Sequence, residues 1–136
     1  LVGAVPGADG EVTLRVGSCL AGEVEAVVVA VDRGAGSEPE ANVLWRLEAE
    51  PGGGPQLESG DSVDVVVGTP PAGMVETTAL SAPLPDGETV QVDITMSSQS
   101  FAFFFRPSEL QAGKFELEQK PVDADDFDGR LDDLCS

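Results

Sequence analysis

Apolar and polar residues alternate along most of this chain with a period of two, and a period near 3.6 is scarce. From Glu11 to Val16, Val12, Leu14 and Val16 fall on one face, with Thr13 and Arg15 opposite. Glu23 to Asp32 (EVEAVVVAVD) is apolar on both faces after Glu25, which predicts a central strand covered on both sides. Asn42 to Glu50 turns Val43, Trp45, Leu47 and Ala49 inward, and Ser62 to Gly68 does the same with Val63, Val65 and Val67. Thr77 to Ala82 alternates more weakly. Glu88 to Ser97 alternates best, with Val90, Val92, Ile94 and Met96 opposite Gln91, Asp93 and Thr95. In FAFFF, Phe101, Phe103 and Phe105 point inward and Phe104 outward, and Lys114 to Gln119 places Phe115 and Leu117 inside.

Residues that preset φ or tolerate positive φ separate these segments: Ala8-Asp9-Gly10, Gly34 to Pro39, Pro51 to Pro55, Ser59 to Asp61, Thr69 to Gly73 and Pro85 to Gly87. About seven or eight short strands at this spacing predict an all-β fold, a sandwich of two antiparallel sheets, with a barrel as the alternative. No repeat or low-complexity linker divides the chain. Residues 1–136 are therefore expected to form one sandwich domain, with 121–136 an acidic segment packed back on it.

The run Ser108 to Leu117 sets Leu110, Gly113 and Phe115 in the order of the corner that precedes a late strand, and Trp45 lies inward on the strand after the apolar Val24 to Val31 run. Both features resemble the immunoglobulin-like sandwiches. That resemblance implies a fold and no particular activity. Two departures stand beside it. Phe115 lacks the hydroxyl by which the family's corner Tyr ties itself to backbone, and the two cysteines do not occupy the strands that antibody domains bridge.

Composition removes whole classes of chemistry. Without histidine there is no Ser-His-Asp or Cys-His nucleophile and no imidazole ligand, and two cysteines cannot complete a zinc tetrahedron. A formal charge of -18 repels phosphate backbones and anionic headgroups, which argues against nucleic acid as a partner. The longest apolar run, Ala26 to Val31, suits a strand and is far short of a membrane span. The chain opens at Leu1 without Met or a signal-peptide pattern, as a processed or trimmed product would. An acidic surface with only Lys114 and Lys120 as lysines reads either as salt adaptation or as the usage of a GC-rich genome.

Cys19 follows the first clear strand and Cys135 is the penultimate residue. Their pairing is the economical reading in a chain with no metal partners for them. It would staple the C-terminus to the body and place the protein outside the cell or in the cell envelope; two free thiols in a reducing compartment are the alternative.

The segment from Asp123 to Asp133 is dominated by aspartate. Asp126, Asp128 and Gly129 match places of an EF-hand loop, but Ala124 and Cys135 stand at its strongest ligand positions. Asp123, Asp125, Asp126 and Asp128, with backbone oxygens, are the candidate calcium ligands. The competing reading is a short helix whose face of Phe127, Leu131, Leu134 and Cys135 docks on the sandwich and delivers Cys135 to Cys19. Aspartates at 123–126 suit the start of such a helix, whereas Asp132 and Asp133 oppose its dipole and Gly129 weakens it.

Outward Phe104 is the candidate partner surface, and the loops Gly34 to Ala41 and Pro51 to Pro55, long, polar and set between strong strands, are the other candidates. Asp61, Asp64 and Asp93 are the carboxylates a catalytic pair would draw on, and no spacing joins them. The expectation is a non-catalytic extracellular module, structural or adhesive. It would be monomeric and without cofactor, and it would meet a protein or cell-surface partner without inserting into a membrane. The alternative is a calcium- or carbohydrate-binding sandwich.

Overall fold

Among the described residues, eleven strands, a 3-10 turn (Pro107–Glu109) and one α-helix follow one another: β1 (Val2–Pro6), β2 (Val12–Ser18), β3 (Gly22–Val31), β4 (Val43–Ala49), β5 (Gln56–Leu57), β6 (Asp61–Val66), β7 (Met74–Thr78), β8 (Val90–Met96), β9 (Ser100–Phe105), β10 (Phe115–Leu117), β11 (Lys120–Val122) and α1 (Ala124–Cys135). This computed structural model describes residues 1–7, 11–32, 42–117 and 120–135. The turn Ala8-Asp9-Gly10, the loop Gly34 to Ala41, Glu118 with Gln119, and the side chain of Leu117 lie outside them.

The strands form two antiparallel sheets, as the alternation predicts. A five-stranded sheet has the order β11-β10-β1-β2-β6, and a six-stranded sheet the order β7-β4-β3-β8-β9, with β5 pairing the start of β3. Registers such as Leu14↔Val65, Val29↔Trp45 and Val29↔Val92 bring apolar positions of neighbouring strands to the same face. The core between the sheets joins Val2, Ala4, Leu14 and Val65 to Val27, Trp45, Leu47, Ile94 and Phe103. Trp45 is fully buried, and its indole N–H donates to Glu76 Oε2 at 2.6 Å.

Several expectations are corrected. The described residues hold eleven strands where seven or eight are expected, because β1 (VGAVP) has no alternation to read and β5 is only a two-residue pairing. The strand expected from Thr77 begins at Met74. The strand expected over Lys114 to Gln119 is two pieces, β10 and β11, which pair with each other through Phe115↔Val122 and Leu117↔Lys120. Among the described residues, no further layer covers the second face of β3. Val28 has Arg46 and Asp93 as cross-strand neighbours and stays half-buried.

Phe115 is buried, yet not between the sheets. Glu116 pairs with Ala4, whose side chain is in the core, so Phe115 points to the opposite face, where α1 lies. There Phe115 and Phe127 meet with ring centroids 5.6 Å apart, flanked by Val5 and Val122. The helix sits close because β1 and β2 offer bare backbone beneath it. A Cβ at Gly3 would stand 3.0 Å from Phe127 Cε2, and one at Gly17 would stand 2.7 Å from Leu131 Cδ2. Burying Phe127 and Leu131 contributes about 2 kcal/mol each. Leu134 does not share that burial and is 62% exposed, at the rim of a hollow with Cys19, Gln99 and Phe101.

Candidate functional site

The two cysteines form a disulfide, Cys19–Cys135, with sulfurs 2.08 Å apart and a separation of 116 positions in sequence. Both ends of the bond are prepared locally. Cys19 comes directly after β2, where buried Ser18 donates from Oγ to the Leu20 carbonyl and accepts from Gln99 Nε2 at 2.7 Å. Cys135 closes α1, one turn after Leu131 meets Gly17.

The four candidate calcium ligands are arranged by that helix. The Asp123 carbonyl accepts the Phe127 N–H at 2.9 Å, and the Asp123 carboxylate is bound by Lys114. Asp125 and Asp126 occupy the exposed first turn, where acidic side chains favour the helix dipole. Asp128 faces Arg15 Nη1 at 3.6 Å. Among the described residues, no group of three or more acidic or cysteine side chains is placed to hold a metal ion.

Arg15 is the polar centre of the helix-covered face. Its Nε and Nη2 donate to the two oxygens of Asp64 at 2.8 and 3.2 Å, and its guanidinium lies 4.5 Å from the Phe115 ring centre. The hydrogen bond to Asp64 holds the Arg15 pKa above its usual value, against the effect of burial. Asp64 is thus engaged on the outside of the five-stranded sheet. Asp93 is on the outside of the six-stranded sheet, where Gln91 Nε2 donates to it at 3.1 Å, and Asp61 accepts the Glu58 N–H at 3.0 Å. These three carboxylates do not converge.

The loop Pro51 to Pro55 is built into the body. Gly54 donates its N–H to Glu23 Oε1 at 2.8 Å, and Val24 donates to the Pro55 carbonyl at 2.9 Å. Gly73, at φ 84°, lies so close to Gly53 that a Cβ there would overlap the Gly53 carbonyl. Gly54 is buried by these contacts, while Pro51 and Gly52 stay exposed at the tip.

Phe104 stands differently. It is 43% exposed on the outer face of β9, opposite Gln91 of β8, while Phe103 and Phe105 on either side are buried and stack at 5.7 Å. Beside it opens a hollow of about 410 Å³, walled by Thr89, Phe104, Phe105, Arg106, Glu109 and Glu116. Arg106 Nε donates to Thr89 Oγ1 at 3.3 Å. Burial, reinforced by the charge of Glu109, raises the Glu116 pKa above the ordinary carboxylate value. The alternation placed Glu116 outside in the last strand. Of this site the alternation marks Phe104 by its outward parity, and it gives no signal that Arg106, Glu109 and Glu116 gather beside it.

The chain matches no family model, no curated protein and no solved structure.

Proposed function

We propose that this chain is a non-catalytic extracellular or envelope-exposed interaction module, and that the β9 margin with Phe104 is its working surface. The observation that carries the reading is the exposure of Phe104 beside an open hollow, in a fold that buries its neighbours Phe103 and Phe105. An aromatic ring half in water costs hydration free energy that a partner surface would recover. The Cys19–Cys135 bond supports a location in an oxidising compartment. No helix among the described residues is long and apolar enough to cross a membrane.

The test compares the oxidised chain with Phe104→Ser for retention on intact cells and on their secreted and envelope fractions, with thermal melts to show that both are folded. The reading expects retention by the parent and its loss in Phe104→Ser. Equal retention of both, or none by either, overturns it.

A further inference from the structure

Each sheet has two outer strands, and a strand edge with free N–H and C=O groups invites pairing unless something blunts it. Three of the four are blunted. The outer strand β11 carries Lys120 and Pro121, β6 carries Asp61 and Asp64, and β7 carries Glu76 and is joined to β4 through a register shift between Arg46 and Leu47. The fourth outer strand is β9. Its six residues are uncharged, contain no Pro, and pair with β8 from Thr95↔Ser100 to Val90↔Phe105 without a shift in register. Its other edge is bonded to no strand among the described residues.

Two hollows open along this edge, one at each end. At the Phe101 end a hollow of about 230 Å³ is walled by Phe101, Leu131, Leu134 and Cys19, and is mainly apolar. At the Phe105 end is the hollow of about 410 Å³ whose wall sets the carboxylates of Glu109 and Glu116 beside Arg106, which donates to Thr89 Oγ1. Phe101 and Phe105 are four residues apart on one face of the strand, about 13 Å. A strand laid beside β9 would present its own side chains at the same interval, one toward each hollow.

Resting on the reading of this chain as an interaction module, we infer that β9 accepts an extended peptide segment as an added strand. The segment carries an apolar side chain for the Phe101 hollow and a Lys or Arg, four residues away, for Glu109 and Glu116. Charge selects this occupant. A second copy of the chain brings a further -18 to the edge and is repelled, whereas a cationic segment is drawn to it. The unblunted edge supplies affinity through main-chain hydrogen bonds, and the hollows supply register and selectivity. The net charge therefore takes over the protective role that Lys, Pro or a bulge has on the other outer strands.

The probe is the capped heptapeptide acetyl-TLTVTKT-amide, titrated into the oxidised chain, with amide hydrogen exchange read at Ser100–Phe105. Saturable binding is expected, with slowed exchange along β9. Replacing the peptide Lys by Glu, or using the Glu109→Gln/Glu116→Gln chain, should weaken binding about tenfold or more. Methylating alternate peptide nitrogens should abolish it. Ala102→Lys, an exposed position, should weaken binding while leaving the melt unchanged, which covers the case in which the double variant fails to fold. Absence of binding at millimolar peptide, equal binding of the Lys and Glu peptides, or binding without protection of β9 each overturns the inference. If the peptide fails while Phe104→Ser still abolishes cell retention, the added-strand inference is wrong and the module reading stands. If the peptide pairs with β9 and Phe104→Ser changes no retention, the inference stands and the role given to Phe104 falls.

Discussion

Gly17 of β2 and Leu131 of α1 are packed so closely that a single methyl group would not fit between them: a Cβ at position 17 would lie 2.7 Å from Leu131 Cδ2 and 3.0 Å from its Cδ1. Leu131 is itself 3% exposed, so it has little room to yield. The absence of a side chain on β2 is thus what lets the helix form a third layer on the five-stranded sheet.

Gly17→Ala should lower stability by about 1–3 kcal/mol through overpacking, a fall in melting temperature of roughly 3–10 °C. Leu131→Ala opens a cavity and should also destabilise. Adding Gly17→Ala to it should cost less than in the parent, because the two side chains compete for one space. A double-mutant cycle by thermal melting checks this; strict additivity would mean that the contact is not formed.

Reducing the Cys19–Cys135 bond should cost several kcal/mol. In the loop-entropy account a closure across 116 residues contributes on the order of 5 kcal/mol, a large share of the stability of most domains. Residues 124–135 should then exchange their amide hydrogens faster than β3 and β8, since Phe127 and Leu131 are the only side chains of α1 fully buried on the sheet. Urea denaturation with and without reductant, and with Cys19→Ser/Cys135→Ser, measures the loss. An unchanged midpoint would refute it.

Glu116 gives a pH dependence with a definite sign. Its folded pKa is raised by burial and by Glu109, above the unfolded value near 4.5. The folded state therefore holds this proton more tightly. Its contribution to stability is complete below the unfolded pKa and is lost as pH rises through the folded pKa. Glu116→Gln should consequently be more stable than the parent at neutral pH and gain nothing near pH 3. Paired melts across that range test it; a gain largest at acid pH would reverse the assignment.

Calcium should not stabilise the chain more than magnesium at matched ionic strength. Asp123 is bound by Lys114, Asp128 faces Arg15, and Asp125 and Asp126 lie in the first turn of α1. Added salt of any kind should raise the melting temperature, because screening relieves the repulsion among carboxylates in a chain of charge -18. A calcium-specific rise of several degrees would show that these aspartates do gather around an ion.

Much of this was legible in the order of residues. Val12, Leu14 and Val16, the run from Val90 to Met96, and the inward Phe103 and Phe105 lie in the core where alternation puts them, because a side chain's face in a strand follows from its parity. The pairing of Cys19 with Cys135 was legible from the lack of any other partner, and α1 from the spacing of Phe127 and Leu131. Strand pairing itself was not. Parity does not say which strand ends a sheet, so nothing in SFAFFF marks β9 as an open margin, and nothing in Lys114 to Gln119 marks a break into β10 and β11.

The sequence by itself therefore determined the class of fold, the inward and outward faces of its strongest strands, the covalent tie and the chemistries without histidine that remain open. These are local or compositional properties. Only the tertiary structure decided that Phe115 belongs under the helix, that Glu116 joins Glu109 beside Phe104, and that Gly17 makes room for Leu131. Each depends on contacts between segments far apart in the chain, and hydrophobic burial, being non-directional, says which residues leave water without saying which ones meet.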